Sequence, residues 1–144
     1  MADILHRVVI ETDADSLYRA LTTSEGLSSW WTKCDTTPEV GNTATFYFGE
    51  KCDHIVDMEI TGLTPGKQVK WKCLEGPWAG TEDFTFDIVP DERGVALEFA
   101  NHGWPEADKF FMHCNCKWGL FFGNSLKNYL ETGTGQPHPM DPRI

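Results

Sequence analysis

The chain has 144 residues, close to the commonest size for one domain around one core, and residues 1–144 are read as a single domain. Its 22 acidic residues against 12 basic ones give a formal net charge of −10 with no basic patch, which argues against nucleic acid as a partner. Hydrophobic content is 40% and no apolar run is long enough to cross a bilayer, so membrane insertion is not expected.

The opening MADILHRVVIETDAD lacks the basic region, apolar stretch and small-residue cleavage site of an export signal, so the expected location is the cytoplasm. Five cysteines, an odd count without an export signal, are expected to be reduced thiols. Residues 4–11 place His6, Val8 and Ile10 on one parity and Arg7 and Glu11 on the other, which predicts a strand. Thr12, Asp13 and Asp15 offer capping side chains ahead of residues 16–21, where Leu17, Ala20 and Leu21 share a helical face. Residues 22–26 break that helix, and residues 27–31 predict a second short turn of helix.

Alternation with period two then dominates. Ala44, Phe46 and Phe48 form one inward set, followed by Val56, Met58 and Ile60, then Val69, Trp71 and Cys73. Phe84, Phe86 and Ile88 continue the series, and Val95, Leu97 and Phe99 complete it. Turn residues separate the runs: Gly62, Pro65-Gly66, Gly76-Pro77 and the stretch from Pro90 to Gly94. This describes hairpins of an antiparallel sheet with one dry face and one wet face.

The period changes after Gly103-Trp104-Pro105. Residues 107–131 contain no proline, and Cys114, Trp118, Phe121, Phe122, Ser125, Leu126 and Tyr129 recur at helical spacing. Gly133 is the expected stop, and residues 135–144 form a proline-bearing extended tail. The fold class is therefore α+β: a curved antiparallel sheet of about six strands wrapped around a long C-terminal helix, with two short helices between the first and second strands.

This order of elements resembles the helix-grip fold of the SRPBCC superfamily, which includes START-like lipid-transfer domains and polyketide cyclases. Residues 21–32, reading LTTSEGLSSWWT, are similar to the helix-pair signature of the branch named for activators of the heat-shock-protein ATPase, the Aha-type homologues. Residues 46–49 (FYFG) and 125–133 (SLKNYLETG) resemble the same branch, so the likeness covers nearly the whole chain. It implies the fold, and fold alone does not supply the chemistry.

The apolar parities of the strands are expected to meet the helix stripe around a cavity. From the sheet the candidate lining residues are Phe46, Phe48, Met58, Trp71, Phe84, Phe86 and Phe99, with His6, Val8 and Leu97 beside them. From the long helix come Trp118, Phe121, Phe122 and Tyr129. Trp30 and Trp31 are expected to divide their roles, one packing inward and one lining the entrance, while His102 and Trp104 sit where a loop would gate the mouth. His102 and Tyr129 are the expected polar contacts, and the same aromatics are large enough to fill the space outright. Gly119 and Gly123 either bring helix and sheet close or leave room for a ligand.

Cys114 and Cys116 do not form a zinc pair, because positions i and i+2 on a helix point about 200° apart; neither a metal nor a cofactor is expected. No nucleophile elbow, phosphate-binding glycine loop or His-Glu-x-x-His pattern is present, so no catalytic residue is assigned. The reading is a module that holds an apolar, lipid-like or aromatic ligand between sheet and helix. An enzyme of the cyclase or hydrolase type acting in that cavity is the alternative, and a chaperone-associated interaction domain the second. The protein partner is open, and a homodimer is compatible with the sequence.

Overall fold

A computed structural model describes residues 1–144. Strand β1 (Ala2–Ile10) runs along one edge of the sheet, with Ile4 and Ile10 buried and Leu5 and Arg7 exposed. Asp13 then starts α1 (Ala14–Thr22), its side chain accepting from the Ser16 amide at 2.7 Å. Thr23 ends α1 and begins α2 (Ser24–Trp30): its amide donates to Arg19 O, and its hydroxyl oxygen accepts from the Gly26 amide at 3.0 Å. One residue thus serves two helix ends, which keeps the pair tightly angled.

Six further strands follow: β2 (Cys34–Asp35), β3 (Thr43–Phe48), β4 (His54–Thr64), β5 (Gln68–Glu75), β6 (Asp83–Asp91) and β7 (Gly94–Trp104). All pairings are antiparallel and the order across the sheet is β1-β7-β6-β5-β4-β3-β2. The count is seven rather than six. The additional strand is β2, which pairs Cys34 with Phe46 and Asp35 with Thr45 and is too short to carry an alternation signal. His102 and Trp104 belong to β7, not to a gating loop: His102 is paired with Asp83 across the β6–β7 ladder.

The C-terminal helix starts later than expected and is not uniform. Asp108 caps α3 (Lys109–Leu120) by accepting from the Phe111 amide at 2.9 Å. A π-helical turn (Phe121–Leu126) follows, then α4 (Lys127–Thr132), which Gly133 closes in the left-handed conformation with φ 92°. The wider turn carries four buried residues, Phe121, Phe122, Ser125 and Leu126, which continue the apolar face of α3 across the change of pitch. Ser125 uses this position twice. Its hydroxyl donates to Trp30 O at 2.6 Å and accepts from the Gln136 amide at 2.7 Å, joining the helix, α2 and the tail.

The core is strongly aromatic. Trp31 is its hub, with ring centroids 4.9 Å from Trp118, 4.5 Å from Phe46 and 6.0 Å from Trp71. Both tryptophans of the pair are buried, although only one is expected to point inward. Trp30 is the last residue of α2, whereas Trp31 at φ −111°, ψ −76° leaves the helix, so the 100° step between helical neighbours does not hold them apart. Trp30 Nε1 donates to Ala20 O at 2.8 Å and closes the α1–α2 corner. No helix is long and apolar enough to cross a membrane.

Candidate ligand cavity

The interior between the centre of the sheet and the helix is filled. Trp30, Phe46, Met58, Trp71, Phe84, Phe86, Phe99 and Phe122 are each 2% exposed or less and pack on one another there. Open space lies instead toward one end, where β3, β4, the β5–β6 loop, α3 and the tail converge. It is a cavity of about 390 Å³, in the lower part of the range of small-molecule sites.

Of the residues read from the sequence as lining, the structure brings Trp31, Phe48, Trp118 and Phe121 to this cavity, the last from the π-helical turn. Trp104 packs elsewhere, 5.3 Å from Phe111, with its indole N–H donated to Asn101 Oδ1 at 2.7 Å. His102 holds Asp83 at 2.6 Å and Tyr129 is half-buried on α4; neither reaches the cavity. Gly119 is the point of close approach between helix and sheet. A Cβ there would stand 3.3 Å from His6 Cε1, whose Nε2 is 3.0 Å from Asn115 O, whereas Gly123 faces open space.

Of the rest of the wall, periodicity marks Val56 and Cys114 as inward-facing but not the others. Val56 and His54 come from β4, Pro77 and Trp78 from the β5–β6 loop, and Phe110, His113, Cys114 and Lys117 from α3. His138 and Asp141 come from the tail, whose irregular sequence has no period to read. Three of the chain's five histidines lie in this wall, a convergence that the fold creates from positions scattered along the sequence.

Hydrogen bonds fix the tail across the opening. Gly135 packs so closely that a Cβ would come within 2.4 Å of Ser29 O. The His138 amide donates to Trp31 O at 2.7 Å. Its ring Nε2 accepts from the Gly49 amide at 3.2 Å, which requires Nδ1 to carry the proton donated to Asp141 Oδ1 at 2.8 Å. Lys117 donates to Asp141 Oδ2 and to Pro142 O, and its ammonium lies 5.9 Å from the Phe121 ring centroid. Burial pushes the Asp141 carboxyl upward, but the hydrogen bonds from Lys117 and then His138, with the charge of Lys117, hold it below the ordinary carboxylate value.

Burial pushes the Cys114 thiol up to about 11, so it is a small apolar surface in the wall at neutral pH. The Trp78 indole lies near that sulfur and draws its pKa back down, yet Nε1 is buried without a hydrogen-bond partner. The His54 and His113 side chains are exposed at the rim and make no hydrogen bond within the protein.

The curved seven-stranded sheet closed on a long C-terminal helix defines a helix-grip domain of the SRPBCC, or START-like, class. The sequence matches the family described as "Activator of Hsp90 ATPase homolog 1-like protein" over residues 11–131, and the chain belongs to that family. The solution structure of the Aha1 dimer from Colwellia psychrerythraea is similar at 36% identity and TM-score 0.83, covering 94% of this chain and 100% of that one. A crystal structure from Staphylococcus saprophyticus shares the fold at 18% identity and TM-score 0.79, covering 93% and 95% of the two chains. DynU16, a putative protein of the dynemicin biosynthetic locus, shares it at 18% identity and TM-score 0.77 over 92% of this chain and 48% of that one. No curated protein matches the sequence.

Proposed function

We propose that the protein binds an apolar small molecule, aromatic or lipid-like, in the cavity between β3–β4, α3 and the tail. The observation that carries this reading is a space of about 390 Å³ bounded by Trp31, Phe48, Val56, Trp78, Trp118 and Phe121, inside a core that is otherwise filled. Stacking surfaces of this kind favour planar guests, and a few polar groups at one end give orientation. N-phenyl-1-naphthylamine, whose emission rises in apolar surroundings, tests the reading by titration. The wild type should bind it with a dissociation constant of about 10 μM, and Val56→Phe, which narrows the cavity, should weaken that at least tenfold while circular dichroism stays unchanged. Absence of binding by the wild type, or equal binding by the variant, overturns it.

A second reading, docking of a protein partner, is supported by the family's name and by the exposed apolar side chains Phe110, in the cavity wall, and Met112, on the same helix. Met112→Ser, outside the cavity wall, separates the two: loss of a partner with retained probe binding favours docking. Self-association belongs to the same proposal, because the Colwellia psychrerythraea relative was solved as a dimer. Sedimentation velocity reads it directly.

A further inference from the structure

The cavity wall is electrostatically unlike the protein that contains it. The chain carries net charge −10, yet the wall gathers Lys117, His54, His113 and His138 and only one carboxylate, Asp141. That carboxylate is already engaged by Lys117 and His138, and its side chain is only 8% exposed. Lys117 and His138 are therefore committed within the protein. His54, entering from the sheet, and His113, entering from the helix, are not: both line the cavity, both reach solvent, and neither has a protein partner.

We propose that the ligand is an apolar or aromatic acid, whose ring or chain fills the Trp31–Trp78–Trp118 end while its carboxylate is received by His54 and His113 at the rim. This rests on the cavity being a ligand site, as argued above, and adds the chemical class. An imidazole donates a hydrogen bond to an anion in either protonation state, and bonds to an ionised acceptor are roughly twice as strong as neutral ones. The rim is solvated, so screening keeps the preference modest, about tenfold rather than thousandfold. A cationic guest would lack an acceptor, since Asp141 is occupied.

The test compares 2-naphthoate with its neutral isostere 2-naphthamide by isothermal titration, in wild type and in His54→Ala/His113→Ala, which removes both donors. Both substituted positions are exposed, so folding is unaffected. The expected result is about tenfold tighter binding of the carboxylate by wild type, equivalent to about 1.4 kcal/mol, falling below twofold in the double variant with naphthamide affinity unchanged. Equal affinities in wild type, or a preference that survives the double substitution, overturn the inference while N-phenyl-1-naphthylamine binding leaves the cavity reading intact. If none of the three probes binds, both readings fail together.

Discussion

His138 donates through Nδ1 to Asp141 Oδ1 at 2.8 Å, and this short contact converts an irregular tail into one wall of the cavity. The carboxylate it meets is shared with Lys117 of α3, so tail and helix are locked to each other through one buried charge. Because the Asp141 pKa is depressed in the folded state, its contribution to stability is complete above the ordinary carboxyl value of 3.8 and is lost as pH falls through the lower folded value. Asp141→Asn should cost about 2 kcal/mol at pH 7, or about 5 °C in Tm, and the gap should close below about pH 4. A gap that stays constant down to pH 2.5 would contradict this. Thermal melts at stepped pH measure it.

The two glycines of the long helix should respond oppositely to the same substitution. Gly123 faces open space, so Gly123→Ala gains helix propensity without contact and should stabilise by about 0.5–1 kcal/mol. At Gly119 the added methyl meets the His6 ring at 3.3 Å, and displacing that ring disturbs its 3.0 Å contact with Asn115 O. Gly119→Ala should therefore be neutral or destabilising. Urea unfolding of the pair decides it, and equal gains at both sites would show that the helix does not press on β1.

Thiol reactivity should divide by burial. Desolvation pushes Cys34 up to about 12 and Cys114 up to about 11, and it raises Cys73, while Cys52 and Cys116 are exposed. Iodoacetamide at neutral pH should alkylate Cys52 and Cys116 first, with the other three labelled only on opening. Peptide mass spectrometry over a time course follows this, and early modification of Cys114 would mean that the cavity opens more freely than its packing implies.

Much of the scaffold was legible in the sequence because sheet and helix announce themselves by period. The inward sets from Ala44 to Phe99 register as read, and Trp118 and Phe122 lie on the buried stripe. What periodicity does not encode is which buried aromatic borders empty space. Phe46 and Phe48 share a parity on one strand, yet Phe46 is sealed in the core and Phe48 edges the cavity. The difference depends on Trp78 in a loop and His138 in the tail, whose rings lie 6.3 Å and 5.6 Å from that of Phe48. Likewise, the helical spacing marks Phe121 and Phe122 as buried neighbours but carries no sign that the turn holding them is π-helical.

The six tryptophans supply the most direct test of the central claim, that a ligand enters this cavity and not the filled core. Titration of 15N-labelled protein with N-phenyl-1-naphthylamine should shift the indole N–H resonances of Trp31, Trp78 and Trp118, which form the wall. Those of Trp30 and Trp104 should stay in place, since their N–H groups are held by Ala20 O and Asn101 Oδ1 away from it. Saturable shifts confined to the three wall indoles are the predicted result; shifts at Trp30 and Trp104 instead, or none at saturating probe, would contradict it.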